Sequence, residues 1–289
     1  MAVATPNPAE FEAAVRAYLA PSRGQFNHDQ MLLTFLSVDR FRQWAGVVSS
    51  IQSLERARFL SSGCGFGGSL LAYRDAGAAL AVGVEVDDDY LRFAALRVAA
   101  LDGAGAVAYD GRRLPFPDAA FDVIESMDVI EHTPDPLAYL LELRRVLAPN
   151  GVILLVTPNR LWPVEQHLGI VGPPWLPVGL GDALFAVLAR LPLLSADRRF
   201  RYSKLRGMRT QHISVRSLRA SAAAAGLSLD LLDPADHPDW PLPRHHRMLE
   251  RLSRAPRVGR LAPIRTLAGV LRVSQGEAGR AEPGSSGHR

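Results

Sequence analysis

Four glycines fall within six residues at 63–68, in the stretch "SSGCGFGG", between an apolar run and the helix-like "SLLAYRDAGA". Glycine adopts positive φ and lets a backbone approach a ligand closely. Such a loop between a strand and a helix either turns a corner or wraps a cofactor. Glu85, in "VGVEVD", closes the next apolar run twenty residues after Gly65. An acid at that place can accept hydrogen bonds from ribose hydroxyls. Three further side chains could move a proton: His132 after "FDVIESM", and Glu165 and His167 in "PVEQHLG". An imidazole with an ordinary pKa of about 6.5 suits proton removal near neutrality. His132 is the leading candidate base, with a loop-shaping backbone contact as its rival role. His212 reads as a helix cap, and His245 and His246 as solvated.

These residues need elements to hold them, and the pattern supplies them. Residues 8–20 and 29–54 read as helices. "RARFLSS", "ALAVGVEVD", "AVAYDG", "FDVIESM" and "VILLVTP" read as five strands, with helical segments between them. Asp87 and Asp135 precede two of those helices as caps, and Asn150-Gly151 is a stop signal. Near-continuous apolar strands alternating with helices predict an α/β fold: a Rossmann-like, doubly wound, mostly parallel sheet covered on both faces. The alternation pauses after Asn159 and resumes with a helix at "SVRSLRASAAAAG" and a sixth strand at "LSLDLLD". A basic helical segment follows from about residue 244, and "AGVLRVSQ" offers a last strand at the sheet edge.

The loop fits two cofactors. Gly63, Gly65 and Gly68 satisfy the dinucleotide fingerprint G-x-G-x-x-G. Gly63, Gly65 and Gly67 also satisfy G-x-G-x-G. The stretch "YDGRRLPFPDAAFDVIESMDVIEHTPDP" separates the two: it has an Asp after strand three, an L-P-F segment, F-D-V opening strand four, and E-H before a P-D-P helix start. In this set the chain resembles the class I S-adenosylmethionine-dependent methyltransferases, most closely small-molecule enzymes of the ubiquinone-pathway O-methyltransferase kind. The resemblance covers about residues 57–159 and returns at "QHISVRSLRASAAAAGL". It implies S-adenosylmethionine as cofactor, Gly63, Cys64, Gly65 and Gly67 beneath it, Glu85 on the ribose, Asp110 on the adenine amino group, and Met127 packed on the adenosyl side. Ser61 departs from the pattern, since family members usually carry an acid there to help hold the cofactor's amine. Either the hold is weaker or another acid takes its place. A nicotinamide-dependent oxidoreductase and a non-catalytic cofactor-binding member are the alternative functions.

Composition limits the rest. With 289 residues, 48% hydrophobic and 21% charged, the chain can bury a large core. Its single cysteine, Cys64, allows no disulfide framework, and reads as a small buried filler. No spacing suggests a metal site. The start of the chain lacks a signal-peptide pattern, so a cytoplasmic location is the expectation. The net charge of +4 is regional: +5 over 197–209 and +7 over 244–289, leaving about −8 elsewhere. That argues against a nucleic-acid surface across the fold. No (D/N)-P-P-(Y/F) follows strand four, which disfavours methylation of nucleic-acid bases. The domain reading is a helical extension over 1–54, a methyltransferase domain over 55–275 with a lid at about 160–210, and a disordered tail over 276–289. Apolar 173–194 running into the basic 197–209 suggests peripheral contact with anionic membrane, and so a small-molecule, glycan or lipid-linked acceptor.

Overall fold

The structure is a computed structural model that describes residues 8–20, 28–160, 162, 164–165, 170–171, 176–190, 212–233, 236–237, 240 and 266–274. The basic run 197–209, the segment from 244 to 265, the tail from 276 and His167 lie outside the described residues. Three helices come first: α1 (Pro8–Leu19), α2 (His28–Leu36) and α3 (Asp39–Ser49). Strands β1 (Arg58–Ser62), β2 (Leu80–Glu85), β3 (Ala104–Ala108), β4 (Phe121–Met127) and β5 (Leu147–Pro158) then alternate with α4 (Gly68–Asp75), α5 (Asp88–Val98) and α6 (Pro136–Val146). After them come a two-residue pair, β6 (Val164–Glu165) and β7 (Ile170–Val171), and helix α7 (Val178–Arg190). Helix α8 (Val215–Ala224), β8 (Leu227–Leu231) and β9 (Thr266–Val273) complete the described order.

The main sheet runs β3-β2-β1-β4-β5-β9-β8. The first five strands pair in parallel, and β9 is antiparallel to both its neighbours. Two expectations need correction. The last strand is not at the edge: β9 inserts between β5 and β8, and β8 forms the edge. Its run Leu267, Ala268, Val270 and Leu271 is buried, as a strand covered on both faces requires. The 29–54 segment is two helices, broken at Ser37 and Val38.

Alternation along the strands sorts two cores. Phe59, Val123, Leu154 and Val156 face Trp44 and Val48 of α3 and Leu70 and Tyr73 of α4. Leu60, Ile124, Ile153 and Leu155 face Tyr139, Leu140 and Leu143 of α6 and Leu218 of α8. A third cluster binds the first helices to the glycine loop. Phe66 stacks on Phe35 at 4.0 Å and on Phe93 at 4.8 Å, beside Phe11 and Val15. Buried Arg97 donates to the carbonyls of Phe35, Leu36 and Phe66, so one guanidinium fastens the end of α2 to the loop.

Polar groups set the strand ends. Arg58 grips Asp122 with two side-chain bonds of 2.8 and 3.0 Å, fixing β1 against β4. Asp135 accepts from Leu137 N and Ala138 N to cap α6, and Asp87 caps α5 through Tyr90 N. These satisfy helix donors that would otherwise be orphaned.

Candidate cofactor and active site

The strand order reverses between β1 and β4, with β2 on one side and β5 on the other. In open α/β sheets, ligands bind beyond the carboxyl ends of the strands at such a point. The glycine loop sits there. Gly63 has φ +77°, and a Cβ on it would lie 2.5 Å from Cγ2 of Val129, so a side chain is excluded both by conformation and by space. Gly65 has φ +50°, yet a Cβ there would meet nothing within 4 Å. The loop is closed on its protein side at Gly63 and open at Gly65. Gly67 then leads into α4, which starts without a side-chain cap. Cys64 is buried, and desolvation pushes its thiol well above the usual range. It packs as the expected filler.

Glu85 is not a solvated strand-end acid. Its Oε2 accepts from Gly65 N at 2.8 Å, and its Oε1 from Val86 N at 2.9 Å and Asp87 N at 3.2 Å. The carboxylate therefore ties the glycine loop to the end of β2. A carboxylate has about four acceptor positions, so lone-pair capacity remains for a ligand hydroxyl. Glu85→Ala is expected to weaken S-adenosylmethionine binding by about 1.5–3 kcal/mol, through lost charge-assisted hydrogen bonds, and to lower the melting temperature by freeing Gly65. Calorimetry checks the first effect; unchanged affinity would remove Glu85 from the site.

Asp110 is exposed, and its Oδ1 accepts from Arg112 N at 2.8 Å and Arg113 N at 3.1 Å. Those bonds hold its pKa below the ordinary value. The turn-capping role is thus present, and it fixes the direction of the carboxylate. Downstream, α6 clamps the L-P-F segment. Glu142 accepts from Leu114 N at 2.7 Å, and Arg145 donates to the carbonyls of Leu114 and Phe116. Met127 is half-buried at the end of β4 and packs on the α3–α4 side of the sheet.

His132 ends a short 3₁₀ turn, Ile130–His132, directly after β4. Its side chain is 23% exposed, and its Nε2 lies 4.0 Å from Oε1 of Glu131. Glu131 is buried and accepts from Thr157 Oγ1 at 2.9 Å, which pins the turn to the end of β5. Glu165 lies in β6. Ser61 is buried near the end of β1. The structure also gathers a group absent from the sequence reading. Ser69 Oγ donates to Ser61 Oγ at 3.0 Å, and Ser61 Oγ donates to Oε1 of Glu125 on β4. The available signal was an acid inside an apolar strand, "FDVIESM".

Residues 60–155 match the family model described as a methyltransferase domain. Over those residues the chain is similar to the class I S-adenosylmethionine-dependent methyltransferases. A match to a methyltransferase domain, and not to a dinucleotide-dependent oxidoreductase, selects S-adenosylmethionine of the two readings of the glycine loop. A ubiquinone biosynthesis O-methyltransferase of Parvibaculum lavamentivorans is 33% identical over 170 residues, covering 55% of this chain and 64% of that one. A chloroplastic tocopherol O-methyltransferase of Arabidopsis thaliana is 30% identical over 123 residues, covering 42% and 35%. The chain thus spans less than two thirds of either relative. A solved S-adenosylmethionine-dependent methyltransferase from Mesorhizobium loti shares the fold with TM-score 0.55 and 17% identity, over 82% of this chain and 100% of the other. Gly65, Glu85 and Asp110 stand in that order beyond the carboxyl ends of the adjacent strands β1, β2 and β3.

Proposed function

We propose that this protein transfers the methyl group of S-adenosylmethionine to a hydroxyl oxygen of a small-molecule acceptor. The observation that carries the reading is His132, partly exposed on a turn fixed at the carboxyl end of β4, beside the carboxylate of Glu131. The two relatives named O-methyltransferases support it. When bound, S-adenosylmethionine supplies a methyl carbon on a sulfonium, open to displacement by an oxygen aligned behind it. His132 takes the acceptor's hydroxyl proton on its imidazole, and Glu131 beside it stabilises the resulting imidazolium. Glu85, Asp110, Met127 and the backbone at Gly63, Cys64 and Gly65 hold the cofactor. Glu165 and His167 are the next candidates for the base. The described helices α1 to α3 serve as an extension ahead of the methyltransferase domain. Near-saturating S-adenosylhomocysteine, at about 100 times its Kd, is expected to stabilise the fold by about 2.7 kcal/mol. Stabilisation by NAD or NADP instead would overturn the reading.

A second element concerns where the acceptor resides. Among the described residues, no helix is long and apolar enough to cross a membrane. Helix α7 nevertheless exposes Leu180, Leu184 and Val187 at 60%, 41% and 55%, one apolar stripe at i, i+4 and i+7. The basic run 197–209 follows it in sequence. This supports a peripheral lipid contact, and with it a lipid-linked acceptor. Binding to anionic vesicles should fade as salt rises and fall in Leu180→Ser/Leu184→Ser. Equal binding to neutral vesicles, or none to either, would leave the segment as a plain lid.

A further inference from the structure

A carboxylate lies beneath the glycine loop with no role in the chemistry described above. Glu125 is the fifth residue of β4, and its register partner across the β1–β4 pair is Ser61. These two strands flank the point where the strand order reverses. Glu125 is 1% exposed. Its same-face neighbours on the two strands, Phe59 and Val123, are apolar, so packing alone would favour a valine or leucine there. A buried charge is costly unless it is paired, and the pairing present is thin. Ser61 Oγ donates to Oε1 at a long 3.4 Å, and Ser69 stands behind Ser61. Oε2 closes no hydrogen bond among the described residues, and neither does the buried Tyr73 hydroxyl, which acts on the Glu125 carboxyl. The positive side chain that acts on it, Arg40 of α3, is ion-paired at 3.1 Å with Asp128. Arg40 is thus shared between Asp128 and the buried carboxyl of Glu125.

We propose that Glu125 supplies the negative charge that holds the ammonium end of S-adenosylmethionine, acting through the Ser61 and Ser69 hydroxyls. Ser61, at the strand end nearest the loop, offers only a neutral oxygen to that ammonium. Its hydroxyl gives its proton to Glu125, and so turns a lone pair, polarised by the carboxylate, toward the crevice. The acid that β1 lacks is provided by the adjacent strand, one register step across the sheet. Glu125 is therefore a positioning residue for the cofactor, an inference that rests on the cofactor assignment above.

The test compares two ligands. S-adenosylhomocysteine carries the amino-acid end; 5′-methylthioadenosine keeps the adenosine and the sulfur and lacks it. By calorimetry, Glu125→Gln is expected to weaken S-adenosylhomocysteine about tenfold or more and to change 5′-methylthioadenosine less than about twofold. Ser61→Asp/Glu125→Gln, which moves the acid back to β1, is expected to regain native affinity to within about threefold. Native affinity for S-adenosylhomocysteine should also climb between pH 6 and 8, and that climb should vanish in Glu125→Gln. The groups facing Glu125 are Arg40 from α3, Ser61 from β1, Ser69 and Tyr73 from α4, and the Cys64 thiol of the loop. Burial moves the carboxyl up to about 7, while the cationic ligand favours its ionised form. Equal losses for both ligands, an unchanged S-adenosylhomocysteine affinity, or no regain in the double variant would overturn the inference. A native protein that bound neither ligand would overturn the cofactor assignment, and this inference with it.

Discussion

His132→Ala is expected to lower turnover by about 10²–10⁴, the range for losing a positioned proton acceptor. Cofactor affinity should change little, because His132 lies on the turn after β4 and not on the glycine loop. The fold should survive. The side chain is partly exposed, and the turn is held by backbone bonds and by the Glu131–Thr157 contact. Single-turnover assays with saturating cofactor, with calorimetry on the same variant, separate the two quantities. A folded variant with near-native turnover would make His132 a loop residue and pass the role to Glu165 or His167.

Glu125→Gln is expected to stabilise the protein at neutral and alkaline pH while weakening its hold on the cofactor. Burial raises the carboxyl of Glu125 from 4.5 to about 7 in the fold. In the unfolded chain it ionises at its ordinary value. Between about pH 4.5 and 7 the native state keeps a proton that the unfolded state gives up, so this group's penalty grows with pH and levels off above 7. The full penalty is about 3 kcal/mol on that shift. The variant's melting temperature should exceed the native one by about 5–10 °C at pH 8, with the gap closing towards pH 4.5. A gap independent of pH, or a variant less stable at pH 8, would show that Glu125 sits in the fold without that cost. A group that destabilises the free protein and strengthens the complex is the pattern expected of a site and not of a core.

Much of this site is written in local chemistry. The glycines of 63–68, the aspartate caps at 87 and 135 and the apolar strands each act within a few residues, so their types and spacing reveal them. Asp110 stood out in the sequence only through the resemblance, and the structure shows it capping a turn. Across-strand relations were not legible. Glu125 and Ser61 stand 64 residues apart, and only the pairing register joins them. The insertion of β9 between β5 and β8 depends on which strand offers the better-buried pair, which an apolar run in sequence does not tell. Nor did a glycine or proline mark the break between α2 and α3: Ser37 and Val38 leave the apolar period intact, and the chain turns so that α2 covers the loop while α3 packs on β1 and α4.

The central claim is methyl transfer to oxygen. Incubation of the full chain with methyl-labelled S-adenosylmethionine and a panel of phenolic and catecholic acceptors, with and without prenyl tails, tests it most directly. The account predicts label in an ether product, formed by the native protein and lost in His132→Ala. Bound cofactor without labelled product from any acceptor, or label found on carbon or nitrogen, would contradict it.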